Sequence, residues 1–161
     1  MNRAYLLTGG NMGDRQQYLS VARELIGAEC GKIETASSLY ETAAWGKTDQ
    51  PAFLNQALQI KTPLDAGQLI RNILEVEKKM GREREEKYGS RIIDIDILLF
   101  NDEVINTTLL KVPHPEMQNR RFVLAPLMEI APGLIHPVLN KSISELFRDC
   151  RDTLAVKKIA D

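Results

Sequence analysis

The sequence predicts an α+β protein: a ferredoxin-like βαββαβ core with an antiparallel sheet and both helices on one face, then a C-terminal hairpin and short helices. Three observations carry this. Four short apolar or alternating runs read as strands, at 4–8, 33–42, 53–61 and 92–100. Two stretches, 14–28 and 62–81, place apolar residues at helical spacing. Their order is strand, helix, strand, strand, helix, strand, and the two middle strands are joined by a loop, as in a hairpin.

A chain of 161 residues is expected to form one domain over 1–161, large enough to bury a core without staples. The net charge of -1 provides no global field for nucleic acid or an anionic membrane, so any anion site is local. Cys30 and Cys150 lack metal-ligand spacing and read as reduced residues at helix ends. No apolar run approaches the roughly 18 residues of a membrane span, and Met1–Gly10 lacks a signal-peptide core. A cytoplasmic, monomeric protein without nucleic-acid or membrane partners is the expectation.

In chain order, Ala4–Thr8 is closed by Gly9-Gly10-Asn11-Met12-Gly13-Asp14, read as a tight turn leading to a helix cap. Glycines before a helix can also cradle phosphate, but this spacing is neither a P-loop nor a dinucleotide fingerprint. The helix Asp14–Ala28 puts Leu19, Ala22 and Ile26 on one stripe, with Gly27 and Gly31 as its end. Ile33–Thr42 is the second strand, with Thr35, Ser37 and Ser38 suggesting an exposed face. The loop 43–51 holds the only tryptophan, Trp45, which either pins the loop to the core or borders a ligand pocket. Phe53–Lys61 alternates as the third strand, with Leu54, Leu58 and Ile60 opposite Asn55, Ala57 and Gln59.

Thr62-Pro63-Leu64-Asp65 has a capping-box pattern opening the second helix, which carries Leu69, Ile73, Val76 and Met80 and stops at Gly81. Glu77 flanks that stripe near the arginine-containing run 82–87. The fourth strand, from Ile92, is almost wholly aliphatic, yet it holds Asp94 and Asp96. Residues i and i+2 of a strand share a face, so these carboxylates stand about 7 Å apart with Ile93, Ile95 and Ile97 opposite. At an effective dielectric of 20 they repel by roughly 2 to 3 kcal/mol, which calls for a cation. Either Mg²⁺ supplies it, taking one or two carboxylates plus phosphates and water, or Arg82, Arg84 and Arg91 simply pair with the acids. Beyond, Val104–Val112 reads as a small hairpin, Glu116–Ile130 as two helical pieces divided at Pro126, and Ser142–Cys150 as a capped last helix. Taken alone, His114 reads as a structural loop histidine.

The run Lys87-Tyr88-Gly89-Ser90-Arg91-Ile92-Ile93-Asp94-Ile95-Asp96-Ile97-Leu98 closely resembles the signature of the 6-hydroxymethyl-7,8-dihydropterin pyrophosphokinases of folate biosynthesis. Gly9 and Asn11, Thr42, Gly46, Asp49-Gln50-Pro51, Phe53-Leu54-Asn55, Gly81-Arg82 with Arg84, and Val112-Pro113-His114 with Asn119-Arg120 and Phe122 follow that family's order and spacing. The resemblance implies transfer of pyrophosphate from ATP to the hydroxymethyl group of a reduced pterin, with release of AMP. It implies two Mg²⁺ held by Asp94 and Asp96, and Arg82 and Arg91 on the transferring phosphates. ATP contacts are implied for Glu77, Arg84, Lys87, Tyr88, Ile97, Lys111, His114 and Arg120. For the pterin it implies Phe53 and Phe122 on either side of the ring and Asn55 on its pyrimidine edge, completed around Thr42, Ala43 and Trp45. The family's mobile loops correspond to those holding Trp45 and Arg82, which are expected to close over ATP.

The chain departs from the family pattern at Gly10, Ala43, Ala44, Tyr88 and Pro115, where serine, two prolines, tryptophan and an aromatic residue are common; these bear on loop closure and adenine contact. Two other classes compete with this reading. A different Mg²⁺-dependent transferase would keep the arginines but has no need of Phe53, Asn55 and Phe122. An RNA-binding module of the same topology would carry a basic sheet face, whereas this one carries two aspartates.

Overall fold

The computed structural model describes residues 1–43, 51–81 and 92–159. Its main sheet joins β1 (Asn2–Gly10), β2 (Lys32–Ala36), β3 (Leu39–Thr42), β4 (Phe53–Thr62), β5 (Asp94–Phe100) and β8 (Val156–Ile159). The order is β5-β1-β4-β3-β8, with β2 also on β4 and every pairing antiparallel. With β2 and β3 taken as one broken strand, this is the ferredoxin-like order. Helices α1 (Arg15–Glu29) and α2 (Ala66–Lys79) cover one face. The hairpin β6 (Ile105–Asn106) and β7 (Lys111–Val112) follows β5, and then α3 (Arg121–Ile130) and α4 (Ile143–Asp149) pack on the other face.

Two apolar clusters sandwich the sheet. On the first face Leu6, Leu54, Leu58, Ile93, Ile95 and Ile97 meet Leu19, Ala22 and Ile26 of α1 and Leu69, Ile73 and Val76 of α2. On the second, Tyr5, Leu7, Ala57, Leu98 and Leu99 meet Val123, Leu124 and Leu127 of α3 and Ile143 and Leu146 of α4. Each fully buried leucine or isoleucine is worth about 1.5 to 3 kcal/mol. One register shift matters for the site. Tyr5 pairs with Leu99 but Leu6 with Ile97, so Leu98 is an extra residue and β5 changes the alternation of its faces there. The Leu98 carbonyl accepts the His114 N–H at 2.9 Å, tying the segment after β7 to β5.

Several elements differ from the sequence expectation, each for a visible reason. The second strand is two, β2 and β3, because Ser37 interrupts the ladder. Its hydroxyl oxygen accepts the Ala57 N–H at 2.9 Å while its own N–H donates to the Ala57 carbonyl, and it is buried, not exposed. Thr62 ends β4 instead of capping a helix: its hydroxyl donates to the Cys30 carbonyl, and Asp65 forms the capping box with Gln68. Gly9 and Gly10 belong to β1, paired with Asn55 and Leu54, and the turn comes later at Gly13, whose φ is 63°. Gly27 lies inside α1, which runs to Glu29. The break in Glu116–Ile130 falls ahead of Arg121, after a 3-10 turn at Met117–Asn119, and Pro126 sits within α3 at the loss of one backbone donor. β5 starts at Asp94 instead of Ile92, and β8 is a strand beyond those expected from the sequence.

The cysteines are free and cap α1 and α4, as expected. Burial pushes the Cys30 thiol up to about 12, so it stays a small apolar filler. Among the described residues, no helix is long and apolar enough to cross a membrane.

Candidate active site

Among the described residues, α3 and α4 cover only part of the second sheet face, and the unusual polar residues fall at its other end. Register places Gly9 between Asp94 on one side and Asn55 on the other, and Asn55 pairs in turn with Tyr40. Strands lie about 4.8 Å apart, so Asp94 and Asn55 face each other across a gap of roughly 10 Å with no side chain between them. Glycine is required at that middle position. A Cβ on Gly9 would come within 2.1 Å of Asn55 Nδ2.

The gap opens into a cavity of about 100 Å³ lined by Leu7, Gly9, Thr42, Ala43, Phe53, Asn55, Asp94, Asp96, Arg120 and Phe122. Two of its polar atoms, Asn55 Oδ1 and Thr42 Oγ1, are buried without a hydrogen-bond partner among the described residues. Leaving such an atom unsatisfied costs about 1 to 3 kcal/mol, a cost that a partner with a polar edge would relieve. Asn55 is oriented by the 3.4 Å bond from its Nδ2 to the Thr8 carbonyl. Phe53 and Phe122, half-buried, come from β4 and α3, and the Arg120 guanidinium lies 5.8 Å from the Phe122 ring centroid. The approach to Phe53 is fixed as well: Asn11 Nδ2 donates to the Pro51 carbonyl at 3.0 Å, and Arg15 Nη1 to that of Ala52 at 2.9 Å.

A second, broader groove of about 600 Å³ runs along the free edge of β5, between α2 and the β6–β7 hairpin. Ile70, Leu74, Ile95, Asp96, Ile97, Thr108, Leu109, Leu110, Lys111, His114 and Pro115 line it. Asp96 borders both cavities. Ligands in the two cavities would therefore approach each other at this residue.

The strand bearing the acids is held from outside. The Ile95 N–H, between Asp94 and Asp96, points away from β1 and donates to Glu77 Oε2 at 2.8 Å. Glu77 is only 4 % exposed and lines neither cavity, so the flank position read from helical spacing is corrected: its carboxylate serves the backbone of β5. Among the described residues no group of three or more His, Cys, Asp or Glu could hold a metal.

His114 Nδ1 accepts the Glu116 N–H at 3.3 Å, which leaves the ring proton on Nε2. Burial lowers its pKa from 6.5, the nearby Arg120 lowers it further, and Glu116 and Asp94 oppose them. At this residue the unfolded chain then binds more protons below 6.5, so its contribution to stability is constant above that pH and falls as pH drops toward the folded value. Burial shifts His136 the same way. His114→Gln should therefore narrow, without abolishing, the loss of melting temperature between about pH 7.5 and about pH 5.5. An unchanged loss would contradict the shift.

Of the site residues anticipated from sequence, Thr42, Ala43, Phe53, Asn55, Asp94, Asp96, Arg120 and Phe122 converge on the first cavity. Ile97, Lys111 and His114 line the groove together with Asp96. Trp45, Arg82, Arg84, Lys87, Tyr88 and Arg91, and with them the expected loop closure, lie outside the described residues. Sequence reading assigned no role to Leu7, Ile70, Leu74 or Leu109, whose apolar spacing looks like ordinary core. Gly9 carried a usable signal, since a glycine inside a strand marks a close approach.

Comparison with known proteins identifies the family. Residues 5–132 match the family described as 7,8-dihydro-6-hydroxymethylpterin-pyrophosphokinase. The chain is 48% identical over 145 residues to the 2-amino-4-hydroxy-6-hydroxymethyldihydropteridine pyrophosphokinase of Aquifex aeolicus, covering 90% of each. With the Bacillus subtilis enzyme of the same name it shares 48% over 130 residues, 80% of this chain and 78% of the other. Its fold superposes on a crystal structure of Plasmodium falciparum HPPK-DHPS with a TM-score of 0.77 at 21% identity, over 91% of this chain and 45% of that longer one. The chain therefore belongs to the 7,8-dihydro-6-hydroxymethylpterin-pyrophosphokinase family, ATP-using diphosphotransferases of folate synthesis.

Proposed function

We propose that the chain transfers pyrophosphate from ATP to the hydroxymethyl group of 6-hydroxymethyl-7,8-dihydropterin and releases AMP, with the pterin in the narrow cavity and ATP in the groove. The observation that carries this is the position of Asp96, which borders both spaces. The pterin ring lies between Phe53 and Phe122, an arrangement worth about 0.5 to 1.5 kcal/mol beyond area burial. Its pyrimidine edge meets the unpartnered Asn55 Oδ1 and Thr42 Oγ1, with Ala43 beside them. The adenine side of ATP rests on the apolar wall of Ile70, Leu74 and Ile97, with Lys111 and the His114 Nε2–H as polar contacts.

In the reaction the pterin hydroxyl gives up its proton, an oxygen–phosphorus bond forms at the β-phosphorus, and the bond to the bridging α–β oxygen breaks, leaving AMP. Such transfers rest on positioning and charge neutralisation. Asp94 and Asp96 would hold Mg²⁺, two ions in our reading, which neutralises the phosphate oxygens. Arg120 at the cavity wall is a phosphate contact, joined in the reading by Arg82, Arg84 and Arg91 and by Lys87 and Tyr88. Glu77 acts through β5, keeping the Asp94–Asp96 backbone in place. Trp45 completes the pterin side.

Incubation with ATP and Mg²⁺, with and without the pterin, tests the reading. AMP formed only with the pterin, matched by pterin diphosphate, is the expected result. ADP with a pterin monophosphate, or AMP formed equally without acceptor, would overturn it.

A further inference from the structure

The family match ends at residue 132, yet the last described segment touches both walls of the narrow cavity. One wall is the N-terminal end of α3, with its N-cap Arg120 and Phe122 of its first turn. That helix begins without a cap of its own, since its N-cap residue, Arg120, makes no side-chain cap hydrogen bond. The missing acceptor comes from 31 residues away: Asp152 Oδ2 accepts the Arg121 N–H at 3.0 Å. The other oxygen of the same carboxylate accepts the Leu154 N–H at 3.0 Å, so Asp152 is itself fixed by the tail. A carboxylate at a helix N-terminus also meets the positive end of the helix dipole.

Two residues beyond Leu154 the chain enters β8, which pairs with β3 in a register that sets Val156 opposite Thr42. Thr42 belongs to the other wall. The far end of α3 already has a tie to the sheet, through Glu129, which accepts hydrogen bonds from Tyr40 Oη at 2.7 Å and from the Ser38 N–H. The end that carries Arg120 and Phe122 is met by Asp152. The Arg121 guanidinium, 4.7 Å from the Phe147 ring centroid, adds a tie to α4 on the same turn.

We infer that Asp152 is a positioning residue for the acceptor substrate, and that the strap 152–156 sets the distance between the Phe122 and Thr42 walls of its cavity. The inference rests on the assignment of the pterin to that cavity. The groove along β5 lies at the opposite edge of the sheet from β8, so of the ATP contacts only Arg120 shares the wall that Asp152 meets, and the ATP KM should move much less than the pterin KM.

Asp152→Ala and Asp152→Asn test this, with KM measured for pterin at saturating Mg²⁺-ATP and for ATP at saturating pterin, and with thermal melting alongside. The alanine variant is expected to raise the pterin KM about tenfold and the ATP KM less than about twofold, the scale of a lost helix cap acting on a positioned wall. The asparagine variant, which keeps one acceptor oxygen, should recover part of the pterin KM. Parallel changes in both KM values would overturn the inference. So would an unmoved pterin KM, or loss of folding in both variants, either of which would make Asp152 a residue of general stability. Wild type that makes no pterin-dependent AMP would instead strike the functional assignment and the inference with it. An active wild type with an unmoved acceptor KM in both variants strikes the inference alone.

Discussion

Asp96→Ala is expected to lower the rate of pterin-dependent AMP release by about a thousandfold or more, because it removes half of the carboxylate pair that would hold Mg²⁺ against the transferring phosphates. Asp96 borders both the narrow cavity and the β5 groove, so its loss should affect the joining of the substrates more than the binding of either. Pterin binding should survive, since Asn55, Thr42, Phe53 and Phe122 are untouched. The fold should survive too. Asp96 is half-buried on a strand secured by the Leu7 pairing and the Glu77–Ile95 bond, and the melting temperature should stay within about 3 °C. Steady-state turnover, pterin fluorescence titration and thermal melting check the three parts. Near-normal turnover would remove Asp96 from the chemistry. Asp94→Ala should act in the same direction.

Asn55→Leu should move activity and stability in opposite directions. In the free protein Asn55 Oδ1 is buried without a partner, so a leucine of similar shape relieves that cost and stabilises the fold by roughly 1 kcal/mol. The same substitution leaves the pterin edge without its acceptor, and kcat/KM for the pterin should fall about a hundredfold or more. Chemical denaturation and initial-rate kinetics give the two numbers. A variant that is both less stable and equally active would show that the amide is structural. The expected trade follows from a site that holds buried polar atoms unsatisfied until a ligand arrives.

The residues that disclosed the site were those in conflict with their surroundings. Asp94 and Asp96 stand in an aliphatic strand, and period-two alternation alone put them on one face. Asn55 stands in a buried strand for the same reason. What stayed hidden depends on non-local partners. Glu77 falls beside the apolar stripe of α2 by helical spacing, and nothing near it in sequence says that its carboxylate meets a backbone N–H 18 residues later. The break at Ser37 was invisible because a serine hydroxyl stands in for a ladder acceptor, which composition does not reveal. Pro126 was read by its local rule as a helix break, whereas burial of Val123, Leu124 and Leu127 against the sheet outweighs one lost hydrogen bond. β8 is a four-residue run with two lysines that becomes a strand only because β3 presents an open edge. The same dependence on distant contacts concealed Asp152, a tail residue that completes a helix beginning 31 positions earlier.

The assignment of two substrates to two cavities that meet at Asp96 is tested most directly by a crystal structure with Mg²⁺, a non-hydrolysable ATP analogue and 6-hydroxymethyl-7,8-dihydropterin. The account predicts the pterin ring between Phe53 and Phe122 with its pyrimidine edge on Asn55, the nucleotide along β5 beside His114, and metal on Asp94 and Asp96. A pterin bound elsewhere, or a nucleotide whose metal touches neither aspartate, would contradict it.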